Sequence, residues 1–126
     1  MNSVVVGIGS NIDPDRHIEA AIAGLGRDHR LKKVSSLRVT RPVGFTDQPD
    51  FVNGAALVET ALDADAFTAA LKEIERQLGR VKTSNKFGPR TIDLDIVVWN
   101  GAVVDDDYYE RDFLREAVEE LVALDE

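Results

Sequence analysis

The most informative segment of the chain is Phe87-Gly88-Pro89-Arg90-Thr91-Ile92-Asp93-Leu94-Asp95-Ile96-Val97-Val98-Trp99. A Gly-Pro turn leads into a strand in which apolar residues alternate with Asp93 and Asp95, so the two carboxylates share one face. They lie roughly 6.5 Å apart along the strand, close enough to bind a hard divalent cation such as Mg²⁺ between them. Arg90, just before the strand, is placed to meet a phosphate. By itself, the pattern also fits a half-buried edge strand with a solvated polar face.

Length and composition indicate a single domain over residues 1–126. Hydrophobic residues make up 44% of the chain, which is enough for a real core. The absence of cysteine excludes disulfides, thiolate metal ligands and cysteine nucleophiles. No apolar run approaches the roughly 18 residues needed to cross a bilayer, and the N-terminus lacks the pattern of a secretory signal. We therefore expect a cytoplasmic protein with no membrane partner.

The formal net charge of −8 argues against a nucleic-acid partner, because nucleic-acid-binding surfaces need a concentrated basic patch. A nucleotide remains possible, since a few local arginines and Mg²⁺ can override a global negative charge.

Outward from the opening strand, the apolar periodicity predicts the element order β-α-β-β-α-β. This is the order of a ferredoxin-like α+β fold, whose antiparallel sheet carries both main helices on one face. The apolar spacing from Arg111 to Leu124 predicts an extra C-terminal helix. The other predicted strands are Ser3 to Ile8, Leu31 to Val43 and Phe51 to Thr60. The first helix is capped by Asp13 or Asp15 and stops at Gly26 with Arg27 and Asp28, and the second is capped by Asp63 and closed by Gly79.

A long loop stiffened by Pro42 and Pro49 precedes the third strand. Loops of this length inside a compact domain are usually functional or disordered, and two prolines argue against disorder. Phe51 and Asn53 share a strand face, so an aromatic ring stands beside an amide that both donates and accepts, which suits a flat heterocycle. A core Phe beside an Asn that satisfies the loop backbone is the alternative.

Basic residues also follow the second helix. Arg80 and Lys82 lie beyond Gly79, on a polar segment that can close over phosphates. Most charges on the helix itself are typical of a solvated face with i,i+3 and i,i+4 pairs. Asp105-Asp106-Asp107 is more typical of a solvated turn than of a ligand cluster. We expect His17 and His29 to be surface or packing residues.

Several motifs, taken in order, resemble 6-hydroxymethyl-7,8-dihydropterin pyrophosphokinase, an enzyme family of folate biosynthesis. The resemblance covers roughly residues 3 to 104, and its most specific part is the Gly-Pro-Arg-Thr-x-Asp-x-Asp motif from Gly88 to Asp95. The motifs are Gly7-Ile8-Gly9-Ser10-Asn11, Thr40-Arg41-Pro42-Val43-Gly44, Asp47-Gln48-Pro49-Asp50-Phe51-Val52-Asn53, Glu75 with Gly79-Arg80-Val81, and Phe87 through Ile96.

The resemblance implies transfer of the β,γ-diphosphate of ATP to the hydroxymethyl group of the pterin, with release of AMP and with two Mg²⁺ ions. It implies a monomer or weak oligomer. The implied catalytic residues are Arg80, Arg90, Asp93 and Asp95, and the two aspartates are also the implied metal ligands. The implied pterin contacts are Thr40, Val43, Gly44, Phe51, Asn53 and Phe113. The implied ATP contacts are Lys72, Glu75, Lys82, Phe87, Arg90, Ile96 and Arg111.

The chain departs from the family pattern mainly on the ATP side. The family usually has an Arg, a Thr and a His-Tyr pair after position 104, whereas here Asp105 to Glu110 runs directly into Arg111-Asp112-Phe113. Two other hypotheses follow: a non-catalytic pterin- or nucleotide-binding module, and a ferredoxin-like interaction domain without a ligand. The further departures are Lys82 for the usual Arg, Lys72 for Gln, Phe87 for Trp and Arg41 for Pro.

Overall fold

The computed structural model describes residues 1–80 and 88–123, which form an antiparallel sheet with helices on both faces. The strands are β1 (Asn2–Ser10), β2 (Arg30–Val34), β3 (Arg38–Thr40), β4 (Phe51–Thr60), β5 (Asp93–Trp99) and β6 (Ala102–Val103). The helices are α1 (Pro14–Asp28), α2 (Ala64–Gln77), α3 (Asp107–Glu110) and α4 (Asp112–Leu121). The strand order is β2-β4-β1-β5-β6, with β3 also paired to β4. The predicted ferredoxin-like α+β fold is confirmed.

Helices α1 and α2 cover one face of the sheet and enclose the larger core. Alternate residues of the central strands point to this face, so residues of this core alternate with residues of the opposite face along each strand. The alternation predicted around Asp93 holds, because Leu94 is fully buried here and Ile96 packs against the same core. The main contributors are Val4, Val6 and Ile8 of β1, Ala56 and Val58 of β4, Ile18 and Leu25 of α1, and Phe67 and Leu71 of α2.

Helix α4 covers part of the opposite face and forms a second core there. Its buried residues Ala117, Val118 and Leu121 pack against the other side of the same three central strands. At its C-terminal end Glu120 fixes the helix to the sheet edge: its Oε1 accepts from the Ser36 backbone N–H at 2.9 Å. The helix begins at Asp112, and the part of this face beyond that point stays open.

The end of α1 agrees with its prediction, whereas the second predicted strand differs from the structure. Helix α1 ends at Asp28, within its predicted stop of Gly26-Arg27-Asp28, and the His29 N–H donates to the Leu25 carbonyl at 3.0 Å. The predicted strand from Leu31 to Val43 is two short strands that both pair with β4. They break at Ser35, whose hydroxyl accepts from the Ala55 N–H at 2.8 Å.

The predicted helix caps have mixed outcomes. Asp63 caps α2 as predicted, since its Oδ1 accepts from the Ala66 N–H at 2.8 Å. Gly79 follows α2 with φ +83°, the left-handed conformation that favours glycine. Asp13 precedes α1 without a side-chain cap bond and instead pairs with Arg16. Among the described residues, no helix has the length and apolar character needed to span a membrane.

Candidate functional site

Most of the predicted site residues meet in one open cavity of about 560 Å³ on the sheet face that carries α4. A smaller cavity of about 110 Å³ adjoins it and reaches Leu114 of α4 and Val97 of β5. The predicted residues that line the larger cavity are Thr40, Val43, Phe51, Asn53, Arg80, Arg90, Asp93, Asp95, Arg111 and Phe113.

The floor of the cavity is open because β1 carries glycines where its side chains would face the site. A Cβ on Gly9 would lie 2.8 Å from Asn53 Oδ1, and one on Gly7 would lie 3.1 Å from Val97 Cγ2. Gly9 pairs with Asn53 of β4 on one side and with Asp93 of β5 on the other. Because neighbouring strands lie about 4.8 Å apart, the backbones at Asn53 and Asp93 are on the order of 10 Å apart.

Asp93 lies between two arginines. Arg80 Nη1 donates to Asp93 Oδ1 at 2.9 Å, and Arg90 Nη1 lies 3.7 Å from Asp93 Oδ2. Arg80 follows α2, whereas Arg90 follows the Gly-Pro turn, so two separate segments bring their guanidinium groups to one carboxylate. The arrangement concentrates positive charge beside the paired aspartates, although the chain as a whole is acidic.

Glu75 lies beneath this charged cluster and connects α2 to β5. It is 4% exposed, and its Oε2 accepts from the Leu94 N–H at 2.8 Å and pairs with Arg80 Nη1 at 2.8 Å. A buried carboxylate is tolerated when hydrogen bonds and opposite charges satisfy it. Glu75 therefore fixes both the strand that carries the aspartates and the position of Arg80.

Asp95 has a different environment from Asp93. Its carboxylate is half-exposed, and Lys72 Nζ lies 3.7 Å from Asp95 Oδ1. Desolvation is the main cause that raises the pKa of Asp95 to about 7; the negative charge of Asp93 adds to the rise, and Lys72 opposes it. The negative charge of the paired aspartates is thus only partly balanced by the nearby cations.

The donor set fits a hard divalent cation. Carboxylate oxygens are the protein ligands that Mg²⁺ prefers, and one or two of them usually suffice when substrate phosphates and water complete the shell. Within residues 1–80 and 88–123, no group of three or more acidic, His or Cys side chains is arranged to hold a metal ion. Asp93 and Asp95 would therefore bind Mg²⁺ together with a phosphate ligand.

The other half of the cavity is aromatic and amide in character. Phe51 of β4 and Phe113 of α4 both line it and are both half-buried. Asn53 Nδ2 donates to Thr40 Oγ1 at 2.5 Å, which fixes the amide plane beside Gly9. Two rings and an oriented amide can stack on and hydrogen-bond a flat heterocycle.

Some predicted residues lie outside the cavity wall. Gly44 belongs to the exposed loop before β4 and has φ +82°. Lys72 of α2 lies beside Asp95, and Glu75 of α2 pairs with Arg80, which also contacts Asp93. Ile96 packs on the core face, opposite Asp95. Lys82 and Phe87 lie outside the described residues.

Three further residues belong to the site. Asp105 and Asp107 line the smaller cavity; Asp106 and Asp107 are exposed, as expected of a solvated turn, whereas Asp105 is half-buried. Burial raises the pKa of Asp105. Asn11 is buried between the two segments that flank the cavity, and its only sequence signal is its place in the Gly7-to-Asn11 motif.

The histidines lie away from the cavity, as predicted. His17 is buried, with its Nδ1 at 2.5 Å from the Ile12 carbonyl oxygen. His29 Nδ1 lies 3.0 Å from Thr60 Oγ1, its ring meets Phe67 edge-on, and burial lowers its pKa. Both are packing residues.

Comparison with known proteins agrees with the geometry. Residues 5–123 match the family described as 7,8-dihydro-6-hydroxymethylpterin-pyrophosphokinase (HPPK). The chain is similar to the 2-amino-4-hydroxy-6-hydroxymethyldihydropteridine pyrophosphokinase of Pseudomonas aeruginosa, at 41% identity over 105 residues, 81% of this chain and 64% of that protein. The Bacillus subtilis protein of the same name is 38% identical over 104 residues, 79% of this chain and 62% of its own length. The folic acid synthesis protein fol1 of Schizosaccharomyces pombe is 41% identical over 98 residues, 75% of this chain and 13% of its own length. The matched region spans a little under two thirds of these bacterial relatives.

Proposed function

Because the chain belongs to the HPPK family, we propose that it transfers the diphosphate of ATP to the hydroxymethyl group of 6-hydroxymethyl-7,8-dihydropterin and releases AMP. One observation carries the proposal: strand register places Asn53, Gly9 and Asp93 side by side across three strands. An aromatic-amide half and a charged half then face the same cavity, which is what a two-substrate transfer needs.

The aromatic-amide half is the proposed pterin site. Phe51 and Phe113 would stack on the ring system, and Asn53 would read its edge with one donor and one acceptor. Thr40 already orients the Asn53 amide. Thr40, Val43 and Gly44 would complete the contacts through the backbone.

The charged half is the proposed phosphate site. Asp93 and Asp95 would hold Mg²⁺, two ions with ATP, which neutralises phosphate charge and orients the reacting oxygens. Arg80 and Arg90 lie beside Asp93, where they would stabilise charge on the transferred diphosphate and on the departing AMP. Little covalent help from the protein is needed, because positioning and charge neutralisation carry most of phosphoryl-type transfer.

The nucleotide would reach the aspartates from the side of α2 and the start of α4. Arg111 lines the cavity and offers a guanidinium to phosphate. The other proposed ATP contacts are Lys72, Glu75, Lys82, Phe87 and Ile96.

The direct test is chromatographic detection of AMP with ATP, saturating Mg²⁺ and 6-hydroxymethyl-7,8-dihydropterin. The matched control is 6-methyl-7,8-dihydropterin, which has the same ring but no hydroxyl acceptor and should yield no AMP above background. No pterin-dependent AMP with the hydroxymethyl compound would overturn the transferase proposal. Calorimetric binding of the pterin without binding of Mg²⁺·ATP would support a non-catalytic module instead. An interaction domain without a ligand would show no shift of the melting temperature with either compound.

A further inference from the structure

We propose that Asn11 is a positioning residue that ties the pterin-side loop to the phosphate-side turn and thereby couples the binding of the two substrates. Asn11 directly follows β1 and is 4% exposed. The physical tie is independent of any ligand, whereas the identity of the two substrates rests on the proposed function.

Both ends of the Asn11 side chain are used. Its Nδ2 donates to Gln48 Oε1 at 2.8 Å and to the Pro49 carbonyl at 3.0 Å, both on the loop of residues 41–50. Its Oδ1 accepts from the Arg90 N–H at 2.8 Å, and its own N–H donates to the Arg90 carbonyl at 3.1 Å. One buried amide thus joins two segments that are about 40 residues apart in sequence.

Each of the two segments that Asn11 joins carries residues of one half of the cavity. Pro49 lies two residues before Phe51, and the loop that carries Gln48 and Pro49 also carries Val43; both Phe51 and Val43 line the cavity on the proposed pterin side. Arg90 carries the guanidinium that lies 3.7 Å from Asp93. An amide donates at one nitrogen and accepts at its oxygen, so no other side chain of this size, with the same charge, makes both sets of bonds.

The consequence is thermodynamic. A ligand that orders one segment also fixes Asn11, so the second ligand meets a partner segment that is already ordered. Such coupling is reciprocal, because each ligand raises the affinity for the other by the same factor. Coupling factors in proteins are typically about 5-fold to 150-fold.

The first test needs no ligand and uses amide hydrogen exchange on the full chain. Asn11→Asp keeps the Oδ1 acceptor for Arg90 but places an oxygen where Nδ2 met Gln48 and Pro49. We expect residues 41–50 to exchange at least about tenfold faster in this variant, since local opening governs exchange. Asn11→Leu removes both sets of side-chain bonds and should also expose the Arg90 N–H. Unchanged exchange in both variants would overturn the tie.

The second test measures the coupling itself. The pterin is titrated calorimetrically alone and again with saturating Mg²⁺ and α,β-methylene-ATP, which cannot release AMP. We expect the analogue to tighten pterin binding by at least about tenfold in the wild-type protein. In Asn11→Asp this ratio should fall to within about threefold of one. A wild-type ratio near one, or an unchanged ratio in the variant, would refute the coupling.

The matched control is Asn2→Asp at the opposite end of β1. Asn2 Nδ2 donates to the Leu62 carbonyl at 2.7 Å, and its Oδ1 accepts from Asn100 Nδ2 at 3.0 Å. Asn2→Asp should lower the stability of the protein without changing the ratio of pterin affinities measured with and without the analogue. If this ratio falls as much as in Asn11→Asp, the fall reflects lost stability alone, and the proposal is overturned. If the wild-type protein binds neither ligand, the proposed function fails, and the exchange experiment alone decides whether Asn11 ties the segments.

Discussion

Asp93 and Asp95 are two residues apart on one strand face, yet their surroundings separate their roles. Asp93 is held by Arg80 at 2.9 Å, with Arg90 at 3.7 Å on its other oxygen. Asp95 is half-exposed and has Lys72 at 3.7 Å. Asp95 therefore has the carboxylate that is more available to a cation, while Asp93 also orders the arginines.

Replacement of Asp95 by Ala should lower kcat by at least about 100-fold, because the proposed Mg²⁺ ligand at the reacting phosphates is lost. Pterin affinity should stay within about threefold of wild type, because Phe51 and Asn53 are left in place. Both quantities are measured by AMP release and by pterin titration. Asp65→Ala, an exposed change at the start of α2, serves as the control. An equal loss of pterin binding would contradict this division of roles.

The pH dependence of stability should report the Asp95 proton. Its pKa is raised from 3.8 to about 7 in the native state. The native protein then holds a proton that the unfolded chain has lost, so the stability that Asp95 contributes is fully present below about pH 4 and is lost as the pH rises through about 7. Between pH 5.5 and pH 8 the melting temperature should therefore fall more in wild type than in Asp95→Asn.

Divalent cation should reverse this effect. Mg²⁺ that binds together with α,β-methylene-ATP competes with the proton for Asp95, so Mg²⁺ added in the presence of this analogue should raise the wild-type melting temperature more at pH 8 than at pH 6. Thermal scans at both pH values, with and without Mg²⁺, measure the difference. Other titrating groups, such as His29, are shared by wild type and variant and cancel in the comparison. The same Mg²⁺ response in Asp95→Asn would show that another group binds the ion.

Among the single elements, β1 is important because it has glycines at the positions where side chains would fill the cavity. Gly9 lets Asn53 lie across the strand, and the Asn53 amide is then oriented by Thr40. The alternation of β5 supplies carboxylates on one side and core residues on the other. Three adjacent strands therefore build the site. The middle strand, β1, contributes glycines, and the strands on its two sides, β4 and β5, carry the amide and the carboxylates.

Gly9→Ala should weaken pterin binding by about tenfold or more. The new Cβ would lie 2.8 Å from Asn53 Oδ1, so the amide must rotate and lose its bond to Thr40. A lost hydrogen bond at a ligand-reading amide corresponds to roughly tenfold in affinity. Pterin titration measures the change. Gly26→Ala in α1 is the control, because its Cβ would meet Leu31 at an ordinary 3.7 Å. Wild-type pterin affinity in Gly9→Ala would contradict this role for the floor.

The elements themselves were largely predictable, because their signals are local. The limits of β4 and the Asp63 cap follow from β-branched composition and from a short polar side chain before an apolar stripe. The end of α1 at Asp28 falls within the predicted stop of Gly26-Arg27-Asp28, because a glycine followed by polar residues ends the apolar stripe. The break at Ser35 could not be predicted, since it depends on a hydroxyl that pairs with the next strand.

The site was predictable to the extent that local alternation places its residues. The spacing of Asp93 and Asp95, and of Phe51 and Asn53, fixes which face each pair shares. The contribution of Asp105 depends on how α3 is set against β5, and that of Asn11 on contacts to positions 49 and 90. Contacts across such sequence distances leave no periodic signal, so only the folded chain shows them.

In the molecule as a whole, the sheet separates two hydrophobic cores that have different roles. The core beneath α1 and α2 includes Val58 and holds the sheet together. The core beneath α4 includes Val118, and the same helix presents Phe113 to the cavity. Damage to the second core should therefore weaken binding at the proposed pterin site, whereas equal damage to the first should not.

Val118→Ala and Val58→Ala make this comparison, since both side chains are fully buried. Each should lower the free energy of unfolding by about 2 kcal/mol, from lost apolar burial and an unfilled cavity. Val118→Ala should also weaken pterin binding several-fold, because α4 is less firmly held and Phe113 is less well ordered. Val58→Ala should leave the affinity within about twofold. Urea unfolding and pterin titration give the two quantities. If both variants lose pterin affinity in proportion to stability, α4 has no separate role in placing Phe113, and the open half of this sheet face is organised by β1, β4 and β5 alone.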